Sequence, residues 1–260
     1  MTSFRELHFQ DSPFLLPNAW DVGSALAFVA AGYPAIGTTS FGIASSTGMP
    51  DGGRTSRAVT SALAVQLTRL PVHITTDIED GYSDDPVEVA DYVAGLSRLG
   101  VVGVNIEDSR DGHLVDPATL AAKIVEIKNR CPDIFINARV DNFWFSEDAS
   151  VDAVVQRSSS YARAGADGIF VPGALAAEEI RQLTMGITLP VNVLAQPALS
   201  VPELGLLGIR RVSSGSLPYR AAIDAAVGAV GLLRDGGATT VATSYWEMQE
   251  RLEAFNNAIK

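Results

Sequence analysis

The amino-acid sequence predicts an α/β protein of the (β/α)₈ barrel type, and three observations support this fold class. Short apolar runs alternate with helix-like stretches from one end of the chain to the other, which is the order of elements in an α/β fold. Eight strand–helix pairs are present, and the 260 residues are close to the roughly 250 of a typical barrel. An open doubly wound sheet is the alternative, but the sequence contains neither the GxGxxG nor the GxxxxGKS/T segment that often accompanies it.

The elements follow one another with clear boundaries. The strands are predicted at 14–20, 35–41, 72–79, 102–107, 134–140, 168–171, 191–195 and 211–214. The helices are predicted at 22–31, 56–69, 86–99, 117–130, 150–164, 176–185, 202–207 and 219–233. Gly100 and Gly165 each follow a helical run, where a left-handed residue without a side chain ends a helix at no steric cost. The pair Asp85-Pro86 combines an N-cap with a proline in the first turn and so predicts a helix start.

No composition shift, glycine-serine linker or internal repeat divides the chain, so residues 1–260 are expected to form a single barrel domain. The segment 239–260 lies beyond the eighth predicted helix. It contains the sequence YWEMQERLEAFNNAIK, which has the pattern of an amphipathic helix with Trp246, Leu252 and Phe255 among its apolar residues. We expect this extra C-terminal helix to pack on a neighbouring subunit.

The composition excludes several classes of protein. The 30 acidic and 19 basic side chains give a net charge of −11, and such a field repels phosphate backbones and anionic lipids. No basic patch offsets it, so we expect no nucleic-acid or membrane partner. The single cysteine, Cys131, excludes an internal disulfide and a multi-thiolate zinc site. The polar N-terminus lacks a signal-peptide pattern and no apolar window is long enough to span a membrane, so we expect a cytoplasmic protein.

Polar residues share one face of three consecutive predicted strands. Side chains alternate between the two faces of a strand, and inward residues at the carboxyl ends of barrel strands form the site. By this alternation Asp77 and Glu79 point inward from the third strand, and Glu107 and Arg139 do so from the next two. Three close carboxylates raise one another's pKa unless a counter-charge is present. Mg²⁺ binds oxygen ligands and keeps several waters, so Asp77, Glu79 and Glu107 are predicted to hold Mg²⁺, or else Mn²⁺. A salt-bridge cluster around Arg139 is the structural alternative.

Five segments resemble signature segments of one superfamily, in the same order and spacing. They are AGYPAIGTTSFGIA at 31–44, MPDGG at 49–53, TDIEDGY at 76–82, NIED at 105–108 and NARVD at 137–141. On these segments the chain resembles the isocitrate lyase/phosphoenolpyruvate mutase superfamily over roughly residues 15–230. The resemblance implies an α/β barrel that binds Mg²⁺ and stabilises an enolate or enolpyruvate-like species derived from a 2-oxo acid.

The resemblance also implies roles for individual residues. Asp77 would be the direct metal ligand, and Glu79 and Glu107 would hold the ion through waters. Arg139 matches the arginine that binds a substrate carboxylate or oxyanion. Asp51 matches the acidic residue that lies close to the metal in the loop after strand two.

The remaining implications concern the substrate and the assembly. Thr39, Ser40 and Phe41 match the segment that cradles the substrate carboxylate with hydroxyl and backbone N–H groups. The superfamily tends to form dimers and tetramers by exchanging the C-terminal helix. A homodimer or homotetramer that exchanges the helix at 239–260, and that binds a small carboxylate, is therefore implied for this chain.

Two departures from the superfamily concern acid/base chemistry. The lyase branch has a cysteine in a mobile loop after strand four, but residues 109–113 here read SRDGH, with Asp111 in place of that cysteine. Residues 171–173, VPG, stand where a glutamate is expected after strand six. A standard isocitrate or methylisocitrate lyase is therefore not expected. His113 becomes the candidate general acid/base, because its usual pKa suits proton transfer at neutral pH; a solvated loop histidine is the alternative.

Three functions follow from these features. The first is Mg²⁺-dependent cleavage of a C–C bond, by a lyase or decarboxylase, in a small 2-oxo or 2-hydroxy carboxylic acid. The second is phosphonomutase or phosphonopyruvate hydrolase chemistry at a P–C bond, for which the short strand-four loop supplies only Arg110 and His113. The third is a 2-oxo-acid binding protein that keeps the metal site but has lost the loop chemistry.

Overall fold

A computed structural model describes residues 2–238 and 241–257 of the chain. The strands in this part are β1 (Phe14–Leu16), β2 (Asn18–Ala19), β3 (Ala35–Thr38), β4 (His73–Asp77), β5 (Gly103–Glu107), β6 (Ser109–Arg110), β7 (His113–Leu114), β8 (Phe135–Arg139), β9 (Gly168–Val171), β10 (Val191–Leu194) and β11 (Arg211–Ser213). The α-helices are α1 (Val22–Ala30), α2 (Ser40–Ser46), α3 (Arg57–Leu67), α4 (Pro86–Leu99), α5 (Pro117–Arg130), α6 (Asn142–Phe145), α7 (Val151–Ala164), α8 (Ala177–Gly186), α9 (Val201–Leu206), α10 (Leu217–Arg234) and α11 (Tyr245–Asn257). A 3₁₀ helix at Glu6–Phe9 precedes the first strand.

Nine of these strands form one parallel barrel in the order β1-β11-β10-β9-β8-β5-β4-β3-β2. The first barrel strand is interrupted at Pro17, which has no N–H to donate to a neighbour. Its first half, β1, pairs with β11, and its second half, β2, pairs with β3. β1 and β2 thus occupy one strand position between β11 and β3, so the nine short strands fill eight strand positions around the barrel. We call these eight positions staves and number them along the chain. The predicted (β/α)₈ fold class is confirmed.

The helices begin and end where local chemistry requires. Asp85 caps α4 by accepting a hydrogen bond from the N–H of Val87 at 2.9 Å. Gly100 ends α4 and Gly165 ends α7, each with a φ of 106°, in the left-handed region that disfavours side chains. Outward-facing strand residues such as Ile136 are buried beneath the helices. The core therefore lies between the barrel wall and the helical layer, which leaves the inward residues free for a site.

Residues before the first strand close the amino-terminal end of the barrel. Phe4 and Leu7 are buried there against Phe135. His8 stacks on the ring of Phe135, with 4.1 Å between the ring centroids, and its Nδ1 pairs with the carbonyl oxygen of Phe4 at 2.9 Å. This packing leaves the carboxyl ends of the strands as the open end of the barrel.

The two C-terminal helices pack differently. α10 corresponds to the predicted helix at 219–233, yet none of its residues is buried, and Val227 and Val230 are 69% and 67% exposed. α11 instead packs on the barrel, where Phe255 is buried and the guanidinium carbon of Arg69 lies 3.8 Å from its ring centroid. The predicted tail helix lies partly outside the described residues (239, 240 and 258–260), and its exchange between subunits stays a prediction. Among the described residues, no helix has both the length and the apolar character needed to cross a bilayer.

Candidate active site

Two neighbouring cavities lie at the carboxyl ends of the barrel strands, where barrel proteins place their sites. The outer cavity has a volume of about 490 Å³ and is lined mainly by loop residues. The inner cavity, of about 80 Å³, is lined by residues of the barrel interior such as Asn105. Ser40, Asp51, Arg139 and Trp144 line both cavities. The two cavities therefore form one site with an inner and an outer part.

Asp77 ends β4 and lines the inner cavity. Its Oδ2 accepts hydrogen bonds from the hydroxyl of Ser40 at 3.1 Å and from the N–H of Ser40 at 3.4 Å. Burial raises the pKa of this carboxyl; the positive charge of Arg139 opposes that effect and the negative charge of Asp51 adds to it. A further positive charge in the inner cavity would therefore stabilise the ionised form of Asp77.

Glu79 reaches the outer cavity because the chain turns sharply after β4. Its φ is 49°, a left-handed conformation that is uncommon for a residue with a side chain. The carboxylate accepts hydrogen bonds from the hydroxyl of Ser56 at 2.6 Å and from the N–H of Arg54 at 3.0 Å. Burial raises the pKa of Glu79, these two hydrogen bonds lower it, and the charge of Asp77 raises it further. The glutamate thus holds the loop before α3 above the site.

Glu107 faces Arg139 from the neighbouring strand, since β5 and β8 are paired in register at these residues. Arg139 Nη1 lies 3.1 Å from Glu107 Oε2, and Arg139 Nε donates to Asp141 Oδ1 at 2.6 Å. The Arg139 guanidinium carbon lies 5.5 Å from the ring centroid of Trp144 and 5.8 Å from that of Phe170. Burial raises the pKa of Glu107 well above its ordinary value, and the charge of Arg139 opposes this. Arg139 is therefore a cation fixed by several neighbours.

Asp77, Glu79 and Glu107 could hold a Mg²⁺ ion only if most of their contacts ran through its waters. All three are oxygen donors, and the charge of Asp77 raises the pKa of both glutamates, so a divalent cation would relieve their repulsion. Within residues 2–238 and 241–257, no three Asp, Glu, His or Cys side chains converge closely enough to ligate one ion directly. That arrangement is compatible with one direct ligand, Asp77, and with two glutamates that act through water.

The first turn of α2 forms the wall of the inner cavity beside Asp77. Thr39 is the N-cap of this helix, and its hydroxyl oxygen accepts a hydrogen bond from the N–H of Gly42 at 3.4 Å. Thr39, Ser40 and Phe41 all line the inner cavity. The structure thus brings together the three residues predicted to cradle a substrate carboxylate, with the N–H and hydroxyl of Ser40 turned toward Asp77.

His113 is not brought together with the other predicted site residues. β6 and β7 form an antiparallel hairpin, and residues 109–112 of this hairpin line the outer cavity. His113 follows them, but its side chain is 80% exposed and its Nδ1 lies 3.7 Å from Glu147 Oε2. Asp51, by contrast, lines both cavities. The acid/base role of His113 stays a prediction, and in this arrangement the imidazole is outside the cavities.

A set of ion pairs at the mouth of the outer cavity was not predicted from the sequence. Asp80 accepts a hydrogen bond from Arg54 Nε at 3.0 Å, and one of its oxygens lies 3.6 Å from Lys123 Nζ. Asp84 bridges Arg54 and Arg110, because both guanidinium groups contact its Oδ1. The acidic run EDGYSDD at 79–85 is the signal in the sequence, but it does not show which basic residue each carboxylate would meet.

Trp144 also belongs to the site and was not predicted from the sequence. It lines both cavities although half of its side-chain surface is exposed. The signal is the aromatic sequence NFWF, which follows NARVD directly at the end of the fifth stave. Aromatic residues after a barrel strand are placed at the site end of the barrel, so this run could have been included.

Acidic side chains and one fixed arginine line a cavity at the strand ends of a (β/α)₈ barrel, which is where enzymes of this fold place their sites. A family model described as phosphoenolpyruvate phosphomutase matches residues 4–233. The chain belongs to this family, and the predicted membership of the isocitrate lyase/phosphoenolpyruvate mutase superfamily is confirmed.

The proteins to which this chain is similar include one uncharacterized protein and two lyases. The chain is 51% identical over 255 residues to an uncharacterized protein from Mycobacterium tuberculosis (strain ATCC 25618 / H37Rv), with 98% of each chain covered. It is 30% identical over 271 residues to 2-methylisocitrate lyase from Bacillus subtilis (strain 168), with 97% of this chain and 87% of that one covered. Its structure is similar to that of 2,3-dimethylmalate lyase, with a TM-score of 0.85, 25% sequence identity, and 98% of this chain and 95% of that one covered.

Proposed function

We propose that this chain is a Mg²⁺-dependent enzyme that stabilises an enolate or enolpyruvate-like intermediate of a small 2-oxo or 2-hydroxy carboxylic acid and cleaves a C–C bond. The observation that carries the proposal is that carboxylates and Arg139 line the same two joined cavities, with Arg139 paired to Glu107 at 3.1 Å. Carboxylate oxygens suit Mg²⁺, or Mn²⁺, and a fixed guanidinium suits a carboxylate or a developing oxyanion. A lyase or a decarboxylase would use this arrangement in the same way.

The chain's own residues would bind and orient the substrate. Arg139, fixed by Asp141, would donate hydrogen bonds to the substrate carboxylate or to the oxygen on which charge develops. Donors fixed before the reaction stabilise such charge without reorganisation. Donor groups of Thr39, Ser40 and Phe41 would hold the other oxygen of that carboxylate, and the Ser40 N–H and hydroxyl would turn from Asp77 to do so. The N–H of Thr39 is already donated to the carbonyl oxygen of Ala19, so its hydroxyl would be the donor.

The acidic residues would hold the ion and move protons. Asp77 would ligate Mg²⁺ directly, with Glu79 and Glu107 accepting hydrogen bonds from its waters. When bound, the ion would supply Lewis-acid stabilisation of the oxyanion. Asp51 lines both cavities and is the proposed site of proton transfer at the substrate. His113 would share that role only if its hairpin moved toward the outer cavity.

The direct test is a panel of 2-oxo acids and 2-hydroxy diacids, incubated with Mg²⁺ and assayed for release of pyruvate or glyoxylate. We expect turnover of at least one acid, and its loss in the Asp77→Ala variant together with a loss of Mg²⁺ affinity. Asp133→Ala is the matched control, because Asp133 is an exposed carboxylate that lines neither cavity. Retention of both turnover and Mg²⁺ affinity in Asp77→Ala would rule out the proposed function.

Chemistry at a P–C bond is the second candidate, and one observation favours it. Arg54 and Arg110 both line the outer cavity, where guanidinium groups would suit a phosphoryl group. Incubation with phosphonopyruvate and Mg²⁺, followed by ³¹P NMR, separates the two reactions. Appearance of inorganic phosphate or of phosphoenolpyruvate supports this candidate, whereas unchanged phosphonopyruvate excludes it.

A 2-oxo-acid binding protein without turnover is the third candidate. The position of His113 outside the cavities favours it, because the described cavities then lack a histidine to transfer protons. Calorimetry would show Mg²⁺-dependent binding of oxalate, with no product from any acid in the panel. Any steady-state turnover that Arg139→Ala abolishes would exclude it.

We also propose that the protein is a homodimer or homotetramer in which a second copy covers α10. Leu217, Ile223, Val227, Val230 and Leu233 are all about half or more exposed on this helix. Apolar areas of this kind on a folded chain indicate an interaction surface. Light scattering should give a mass above that of one chain, and Val227→Asp combined with Val230→Asp should lower it. A monomer in both proteins would contradict the proposal.

A further inference from the structure

A buried cation lies in the barrel lumen below the inner cavity. Arg211 begins β11 and is fully buried. Ser213, two residues further along the same face of this strand, lines the inner cavity, so Arg211 lies one layer deeper. In the described residues its guanidinium contacts neutral oxygens rather than a carboxylate. Burial lowers the pKa of Arg211 to about 9, against the opposing charge of Asp77, so the guanidinium keeps its charge at neutral pH.

Two hydrogen bonds hold this guanidinium in place. Arg211 Nε donates to the hydroxyl oxygen of Ser213 at 3.1 Å, and Arg211 Nη2 donates to Asn105 Oδ1 at 3.2 Å. The Ser213 hydroxyl in turn donates to Asn192 Oδ1 at 3.1 Å, so its proton is already used within the lumen. Asn105 lines the inner cavity, and it therefore connects the buried cation to the site.

The orientation of the Asn105 amide is fixed by the chemistry of its neighbours. A guanidinium donates hydrogen bonds but accepts none, so the Asn105 atom that faces Arg211 must be the oxygen. The same oxygen accepts a second hydrogen bond, from Asn137 Nδ2 at 2.9 Å. Because Oδ1 is turned toward Arg211 and Asn137, Nδ2 is turned the other way, toward the inner cavity.

The two asparagines that line the inner cavity differ in what they offer to a ligand. Asn18 Nδ2 donates to the carbonyl oxygen of Thr38 at 2.8 Å, and Asn18 Oδ1 accepts from the N–H of Gly215 at 2.9 Å. In the part of the chain that the structure describes, Asn105 Nδ2 donates no hydrogen bond. An amide N–H that is shut off from water without an acceptor is costly, so the cavity suits a ligand oxygen beside Asn105.

This donor lies between two groups that are proposed to act on the substrate. Asn105 pairs in register with Asp77 on one side and with Asn137 on the other. Arg139 follows Asn137 on the same strand face and lines the inner cavity, as Asp77 does. In a 2-oxo or 2-hydroxy acid whose carboxylate takes Arg139, the oxygen on carbon 2 is the one next to that carboxylate.

We propose that Asn105 Nδ2 donates a hydrogen bond to the oxygen on carbon 2 of the substrate, and that Arg211 is the positioning residue that holds the amide in this orientation. The inference rests on the proposed function, in which negative charge develops on that oxygen. A donor that is fixed before the reaction stabilises this charge without reorganisation. Arg211 itself does not touch the substrate and acts through Asn105.

The experiment on Asn105 is titration calorimetry of oxalate with Mg²⁺, because oxalate carries an oxygen on the carbon next to its first carboxylate. Asn105→Ala removes the donor, and oxalate should bind about tenfold more weakly. Asn105→Asp keeps an oxygen for Arg211 and Asn137 but turns a second oxygen toward the ligand, so the affinity should fall by about a hundredfold. Neither variant should weaken the binding of Mg²⁺ alone, which a general disruption of the site would do.

A comparison of two backgrounds tests the positioning role of Arg211. Arg211→Met replaces the buried cation with an apolar side chain, a kind of change that folded proteins often tolerate. In the otherwise unaltered protein, Arg211→Met should weaken oxalate binding by about fivefold. In the Asn105→Ala background the same change should cost less than about twofold, because the amide that Arg211 positions is then absent.

The matched control is Asn192→Asp. Asn192 is a buried amide of the same lumen, but it lines neither cavity. A carboxylate at this position should leave the oxalate affinity nearly unchanged. If Asn105→Ala fails to fold, Asn105→Asp carries the test of the donor, since it keeps the hydrogen bonds to Asn137 and Arg211 and supplies the buried guanidinium with a counter-charge.

The outcomes separate the inference from the function on which it rests. Unchanged oxalate affinity in Asn105→Asp, or an equal loss in Asn192→Asp, would overturn the role of Asn105 as a donor. An effect of Arg211→Met that is the same in both backgrounds would overturn the positioning role alone. Absence of Mg²⁺-dependent oxalate binding by the unaltered protein would overturn the proposed function, and the inference with it.

Discussion

Acidification should destabilise the barrel through His8, and the magnitude can be worked out from its surroundings. His8 is buried and stacks on Phe135, and in the described residues its Nε2 has no hydrogen-bond partner. Burial, and next the positive charge of Arg211, lower the pKa of His8 from 6.5 to about 3. The folded protein therefore keeps this imidazole neutral at pH values where the unfolded chain protonates it.

The sign follows from proton uptake by the two states. As the pH falls below 6.5, the unfolded chain binds a proton at His8 and the folded chain does not, so the free energy of unfolding decreases until the pH reaches about 3. A pH of 5 lies about 1.5 units below the pKa of His8 in the unfolded chain, so the free energy of unfolding is lower there by about 2 kcal/mol than at neutral pH. Above pH 7 the imidazole is neutral in both states and contributes no pH dependence.

Urea unfolding at pH 7 and pH 5 measures this effect, with His8→Phe as the variant. The free energy of unfolding should fall by about 2 kcal/mol more in the unaltered protein than in His8→Phe. Other titrating groups are common to both proteins, so their contributions cancel in the comparison. Parallel pH profiles for the two proteins would refute the reasoning, because the buried imidazole would then be protonated without cost.

Three further predictions concern buried contacts. Asp108→Ala leaves the guanidinium of Arg157 without the carboxylate that it contacts at 2.6 Å. Urea unfolding should therefore show a decrease of about 3–5 kcal/mol in the free energy of unfolding. A decrease below about 1 kcal/mol would contradict this account. Gly37→Ala places a Cβ 2.8 Å from Asn18 Nδ2 and 2.9 Å from Leu16 Cδ2. Thermal unfolding should therefore show a destabilisation of about 1–3 kcal/mol. An unchanged melting temperature would count against this close packing. Asp141→Asn removes the anion that holds Arg139 Nε, so oxalate with Mg²⁺ should bind about tenfold more weakly by calorimetry; unchanged affinity in a folded variant would show that other contacts suffice to fix the arginine.

The fold was predictable because its determinants are local and repeated. Each stave is an apolar run, and helix boundaries such as Asp85 and Gly100 carry their own signals. The site was predictable where side chains follow strand alternation, as Glu107 and Arg139 do. Glu79 lines the outer cavity for a different reason. The strand before it ends at Asp77, so Glu79 lies in the following turn. The left-handed backbone of Glu79, and not the alternation of a strand, sets the direction of its carboxylate.

The features that sequence reasoning missed depend on contacts between distant segments. His113 lies outside the cavities because the hairpin that carries it is anchored at Glu147, well beyond the next stave. The alternation of a strand says nothing about which residues of a following hairpin face inward. Likewise, the sequence of α10 shows an apolar helix, but whether it covers its own barrel depends on the path of the chain after Ser213.

The break at Pro17 has a consequence for the order in which the molecule is made. Phe14 joins the last stave, at Arg211, while Asn18 joins the second stave, at Gly37. On the ribosome, the second contact is available early, but the first must wait until almost the whole nascent chain has emerged. Contacts of such high sequence separation slow folding and leave unpaired edges open to other chains. In a chain that folds while it is synthesised, the contact between Phe14 and Arg211 is therefore the last one of the barrel to close.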